Sequence, residues 1–531
     1  MPEKEIRLTF IDVLFVLLSV VLIFSMYLFS QFEKCFAVVM IEPFLMAYFL
    51  LRILFTLSYR LTSCLLLLVI SVFCAYQLYL GYSQLIQSFG KGKGQETIIG
   101  SFTNSGPFGC FLSICSSLFV AVYAKAKKRI IGISLSVMAI LSLLLMACTL
   151  SRASMLAFAA SMLFIVMKSD KVVAFFKRYW VYISLTIILL GAGAYLVKKP
   201  SADGRILMAR IGVRMMKENG LSGVGLGNYS GAYGKAQAKF FTQYLCNGSN
   251  DLNIEGVPEN IRMVADCPAF AFNEYLRIGI EAGPIAMLLF VSLIITGIVY
   301  AYKCDNYWCY PLIAISVFAC FSYPFEIGVL ALLLIICLSA TGATNAAKRK
   351  SILFYMLCIS VIGSIYYTRH SLVSKMEFGS RPLRVKIKEF CCNRYKRFIV
   401  YGCDCISDGI YDEKMLFAYG QSLNKSGNYA KSDSILIIGT KISSDPMFWN
   451  VMGNNSLAQG KYREAEERYK YAFLMVPNRL YPLYLLANLY YAEGDIARFL
   501  DMAETVATFK PKVESVKTER LRTEIQELYN E

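Results

Sequence analysis

Eleven apolar runs, most close to the roughly 20 residues that cross a bilayer, occupy the first two thirds of this chain. They lie near 8–30, 35–56, 61–82, 105–124, 130–149, 152–168, 179–197, 273–301, 308–322, 324–342 and 351–367. Of the 531 residues, 56% are apolar and only 17% charged, whereas a soluble globular chain carries about 25% charge. A soluble multidomain enzyme is therefore excluded, and an all-α polytopic membrane bundle of about 11–12 spans is expected. The first run is too long for the core of a signal peptide and has no small-residue cleavage site after it, so it reads as a retained helix.

The net charge of +17 would suggest nucleic acid in a soluble protein. Here Lys125, Lys127, Lys128 and Arg129 follow the fourth run, Lys168, Lys171, Lys177 and Arg178 the sixth, and Lys348, Arg349 and Lys350 the tenth. Basic loops remain in the cytoplasm, so even-numbered spans end inside and no nucleic-acid partner is expected. The loop 198–272 then faces outward, as does the region after the eleventh run. The single histidine, His370, is too little for a His-cluster metal site or Ser-His-Asp chemistry, and no phosphate-binding glycine loop or metal-holding DxD pair is present. Neither cofactor nor metal is expected.

The final segment, 374–531, holds close to half of the charged side chains, which marks a soluble domain. Trp449, Gly453, Gly460, Tyr462, Ala465, Tyr469, Ala472 and Pro477 have the spacing of one tetratricopeptide unit. Gly420, Gly427 and Tyr429 repeat part of it upstream; Leu486, Ala487, Tyr490 and Gly494 repeat part downstream. Such arrays usually bind partners. The expected division is a membrane domain over 1–370 and a soluble α-helical repeat domain over 381–531.

Charge at the edges of spans is where chemistry is expected in a membrane chain. Arg152 lies in Thr149-Leu-Ser-Arg-Ala at the outer end of spans five and six, with an interface anchor as its alternative role. In the outward loop Asp203 can cap a helix starting near Gly204. There Leu207, Ile211 and Met215 form an apolar stripe and Arg210, Arg214 and Lys217 a basic one, as in a helix lying on the outer membrane face. Gly223, Gly225 and Gly227 either admit a ligand close to backbone or make a plain tight turn. Asn273, Arg277 and Glu281 share one helix face and Glu274 a neighbouring one; Glu281 is either functional or a structural partner of Arg277. Arginines bind phosphate oxygens bidentately, and fixed positive charge stabilises a departing diphosphate. A carboxylate can take the proton of an incoming sugar hydroxyl. These residue types suit glycosyl transfer from a lipid-linked diphosphate.

The ordered motifs resemble those of the O-antigen ligase and polymerase family of bacterial membrane glycosyltransferases. The matching pieces are Gly100-Ser-Phe-Thr-Asn104, Thr149-Leu-Ser-Arg152, Gly204-Arg205, Leu221-Ser-Gly-Val-Gly-Leu-Gly227-Asn-Tyr, and Asn273-Glu-Tyr-Leu276 with Glu281-Ala-Gly283. The resemblance covers about residues 1–345. The repeat tail and Ser322-Tyr-Pro-Phe-Glu326 resemble the Bacteroidetes-type branch. It implies an inner-membrane protein with a periplasmic site that moves a glycan from undecaprenyl diphosphate to lipid A core, protein or growing polysaccharide, inverting and without metal. Catalytic residues on that basis are Arg152, Arg205, Glu274 and Glu281; substrate contacts are Arg210, Arg214, Asn273, Tyr275, Gly225 and Gly227. Many members carry His before the Asn-Glu motif, where this chain has Phe272. The base is then Glu274 or Glu281, or the enzyme works by positioning and leaving-group stabilisation alone, or it is inactive. Ligase and repeat-unit polymerase share donor chemistry, so both stay open. A non-catalytic scaffold acting through the tail, with a protein partner there, is the reading of another class. Cys246 and Cys267 in the outward loop are candidates for a disulfide.

Overall fold

The computed structural model describes residues 8–29, 36–90, 97–125, 129–197, 199–245, 256–344 and 413–530. Among the described residues the chain is all-helical, without strands. It divides into two compact units. One takes in 8–27, 36–194 and 271–344, and the other 28–29, 195–270 and 413–530. The expected eleventh span, 351–367, lies outside the described residues, as does His370.

The first unit contains α1 (Phe10–Phe29), α2 (Phe36–Leu57), α3 (Tyr59–Gly90), α4 (Ser105–Tyr123), α5 (Arg129–Cys148), α6 (Arg152–Val166) and most of α7 (Asp170–Val197). Beyond a gap in the numbering filled by the second unit come α11 (Glu274–Ala282), α12 (Pro284–Lys303), α13 (Cys309–Ala319) and α14 (Gly328–Thr344). Within Tyr59–Phe89, Ser105–Tyr123, Arg129–Cys148 and Pro284–Lys303 the chain is long and apolar enough to cross a membrane. Nearly all of α4 is buried, so it is the centre on which α5, α6 and α13 pack. Only a third of the most apolar stretch is buried in α3, α5 and α12, and outward-pointing Leu65, Leu68, Val69, Ile140, Leu144 and Leu288 leave an apolar surface suited to lipid.

One expected span is not continuous. The run 273–301 is broken at Gly283, whose φ of 89° is open to glycine, and Pro284 then occupies the first position of α12. Proline lacks the N–H that would tie α12 to the turn before it, so α11 is a separate nine-residue helix.

Hydrogen bonds fix two polar ends of this unit. At one end Tyr59 Oη donates to Asn306 Oδ1 at 2.9 Å, Asn306 Nδ2 donates to the Ala340 carbonyl at 3.4 Å, and Lys125 and Lys168 both pair with Asp305. Asp12 and Arg52, both fully buried, meet at 3.0 Å. Asp12 also accepts from the Thr9 N–H (2.8 Å), Thr9 Oγ1 (2.7 Å) and Tyr48 Oη (2.7 Å), which ties α1 to α2. The other end gathers the sequence motifs.

The second unit begins with α8 (Lys199–Glu218), α9 (Tyr229–Leu245) and α10 (Glu259–Val264). The expected cap at Asp203 is not made: α8 starts four residues earlier, and Asp203, inside it, accepts from Tyr195 Oη at 2.6 Å. Leu207, Ile211 and Met215 are buried and α8 packs on α9 and α10. The apolar stripe therefore serves protein packing rather than a membrane surface.

The C-terminal part is three helix hairpins and a final helix. They are α15 (Glu413–Lys425) with α16 (Tyr429–Ile442), α17 (Met447–Ala458) with α18 (Tyr462–Met475), α19 (Tyr481–Glu493) with α20 (Ile496–Thr508), and α21 (Val516–Asn530). Each hairpin turns at a glycine of positive φ: Gly427, Gly460 and Gly494. Within the pairs, a side chain at Gly420 would collide with Leu436, and one at Gly453 with Tyr469. The small residues of the sequence pattern are the points where paired helices touch.

Candidate active site

Four separated motifs converge at one end of the first unit. Asn104 caps α4, its Oδ1 accepting from the Gly106 N–H, and its Nδ2 donates to Tyr323 Oη at 3.1 Å. The Tyr323 ring meets Phe272 edge to face at 5.4 Å between centroids. Ser154, two residues into α6 from Arg152, donates to the Gly106 carbonyl at 3.3 Å. The Phe325 N–H donates to Glu274 Oε1 at 3.1 Å. Segments near 104, 152, 273 and 325 are thus stitched together, although up to about 220 residues separate them in sequence.

Around Arg277 the same end holds three carboxylates. Arg277 Nε lies 2.7 Å from Glu274 Oε2, its Nη1 lies 3.6 Å from Glu281 Oε2, and Nη1 also pairs with Glu326 Oε1. Arg277 thus faces three acids, and these differ in burial. Glu274 is 1% exposed with both oxygens engaged, Glu281 is 3% exposed, and the Glu326 side chain is 33% exposed. Of the two acids named in the sequence as alternatives for a base, Glu274 and Glu281, both are buried, while Glu326 is the more exposed carboxylate beside Arg277. Nothing in the sequence separated Glu326 from any acid at a span edge, since its meeting with Arg277 crosses 49 positions.

The remaining candidates are distributed as follows. Arg152 opens α6 and is exposed. Asn273 caps α11, accepting from the Leu276 N–H at 2.9 Å, and so has a structural task. Tyr275 Oη donates to the Ser316 carbonyl at 3.0 Å. Phe272 itself has φ 51°, an unfavourable setting for a bulky side chain. Arg205, Arg210 and Arg214 all lie on α8 in the second unit. Arg205 and Arg210 are exposed, while Arg214 is bound by Glu218 (3.1 Å) and Gln243 (3.0 Å). Gly225 and Gly227, with φ of 93° and 82°, form a turn between α8 and α9 that other residues would strain. Cys267 is a free thiol among the described residues, and Cys246, its partner in the expected bridge, lies outside them. Burial pushes the Cys267 thiol up, and Arg479 Nη2 sits 2.9 Å from its sulfur.

Comparison with protein-family models, with characterised proteins and with solved structures finds no match for this chain.

Proposed function

We propose that this chain is a membrane glycosyltransferase of the O-antigen ligase type, with a tetratricopeptide tail, acting at the outer face of a bacterial inner membrane. Its donor is a glycan on undecaprenyl diphosphate; its acceptor is lipid A core or protein, and a repeat-unit polymerase would differ only in acceptor. The observation that carries this reading is the convergence of the Asn104, Arg152, Asn273–Glu281 and Tyr323–Glu326 segments at one end of an apolar bundle. Lys125 and Lys168 mark the opposite end, which supports reading the motif end as the outer one.

In this reading the acceptor hydroxyl attacks the anomeric carbon as the sugar–phosphate bond breaks, and the electron pair leaves on the diphosphate. Arg152 neutralises that developing charge; Arg205 and Arg210, as the resemblance implies, engage the diphosphate. Glu326, the most exposed carboxylate of the Arg277 cluster, takes the hydroxyl proton. Glu274 and Arg277 position it. A scaffold is the competing reading, and it draws on Phe272, which puts a ring against Tyr323 where relatives in the resemblance have an imidazole.

Residues 195–270 and 413–530 fold as one compact unit, which supports reading both as lying on one side of the membrane.

Arg152→Ala tests the enzyme reading in cells. Exposed as it is, its loss leaves membrane abundance unchanged and lowers glycan product about 100-fold or more, the scale for removing one preorganised charge from a transition state. Normal product at normal abundance would support the scaffold.

A further inference from the structure

The outward segment and the C-terminal hairpins are joined by a dense, sequence-specific interface within the second unit. Helix α9 lies against α16 and α18. Its face there is built from Gly231 and Gly234. A side chain at Gly231 would run into the Lys441 carbonyl, and one at Gly234 into Ser444 and Met475. Backbones meet at this distance only where one surface has been cut to the other.

Polar contacts fix the register. Gln237 Nε2 donates to the Met475 carbonyl (2.5 Å) and to the Asp266 carbonyl (2.9 Å). Asn478 Nδ2 donates to the carbonyls of Arg262 (3.0 Å) and Ala265 (2.8 Å). Arg262 returns bonds to the Pro477 and Lys510 carbonyls and lies over the Phe509 ring. Gln237 and Asn478 are buried, 1% and 3% exposed, so each lost partner would leave an unpaired polar group.

The interface reaches α8. Gly204 packs on the Val264 carbonyl of α10, and Glu218 on α8 pairs with Lys239 on α9. Arg205 and Arg210 stay exposed on the helix thus held.

We propose that the C-terminal hairpins are an internal clamp for the outward segment: through Gln237, Arg262 and Asn478 they fix α9 and α10, and so hold the arginines of α8 ready for an anionic diphosphate. The functional half of this rests on the glycosyl-transfer reading; the clamp itself does not. Gln237 and Asn478 are positioning residues. They touch no substrate, and act by limiting the freedom of α8.

The test uses full-length protein in membranes and has two readouts. Ser230 Oγ and Ser444 Oγ are 3.1 Å apart across the interface, so Ser230→Cys with Ser444→Cys forms a disulfide on mild oxidation, detected after a protease site engineered near residue 346 is cut. Gln237→Ala with Asn478→Ala speeds tryptic cleavage at Arg205, Lys217 and Lys235. In transfer it raises the donor KM about tenfold with little change in kcat, the scale of one or two lost buried hydrogen bonds. Adding the oxidised Cys pair to that double variant restores both protection and KM, which global misfolding would not allow. Failure of the Cys pair to bridge, or unchanged proteolysis in the double variant, overturns the clamp. A bridged protein with wild-type KM beside a double variant whose KM is also unchanged overturns its role in binding. A wild type without any transfer overturns the glycosyl reading, while bridging and proteolysis still decide the clamp.

Discussion

Asp12→Ala is expected to lower stability by about 3–5 kcal/mol, because it strands a buried arginine. Arg52 and Asp12 are both fully buried, and Gly342 of α14 lies close against the Arg52 side chain. Asp12 accepts from Thr9, Tyr48 and Arg52 together, so its loss removes the acceptor that ties α1 to α2. Removing both charges is expected to be milder: Asp12→Leu with Arg52→Met restores most of the loss, since no unpaired charge remains. Thermal unfolding of the detergent-solubilised protein reads both. A single variant as stable as wild type would mean that the pair is solvated and has no structural weight.

Arg277→Met is expected to have a similarly large effect at the opposite end. It would leave Glu274 and Glu281 buried, with Glu326 beside them and the Arg277 guanidinium gone. Like charges so confined repel one another, and displacement of the Pro324–Glu326 turn follows. The loss is about 3–5 kcal/mol, the scale for removing one partner from a buried ion pair. Arg277→Met with Glu274→Leu and Glu281→Leu recovers stability but not transfer, because Glu326 then has no partner to orient it. Full transfer by that triple variant would remove the cluster from the mechanism.

Much of the bundle was legible because spanning length and apolar content are local properties. Helices at Ser105–Tyr123, Arg129–Cys148 and Arg152–Val166 start and end within a few residues of the expected runs. The break at Gly283 was not, since Gly283-Pro284 sits inside an otherwise apolar stretch and hydropathy averages over it. The pairing of Asp12 with Arg52 was not legible either, since it spans 40 positions and two helices. The hairpins were legible from glycine and aromatic spacing, which repeats with the structure itself. Their grip on the α8–α10 segment was not: Asn478 and Ala265 are 213 residues apart, and the contact is made to backbone carbonyls that no side-chain pattern announces. The arrangement of the three carboxylates was hidden for the same reason. Glu274, Glu281 and Glu326 differ in burial, not in type.

The measurement that bears most directly on the account is glycan transfer by purified protein in EDTA, with undecaprenyl-diphosphate glycan as donor and host acceptors. Wild type, Arg205→Ala, Glu326→Gln and Glu274→Gln would be compared. The account predicts transfer by wild type and its loss in Arg205→Ala and Glu326→Gln. Glu274→Gln, which keeps the shape of a buried positioning group, retains a measurable rate. Transfer undiminished by Arg205→Ala and Glu326→Gln, or no transfer by wild type to any host acceptor, would contradict it.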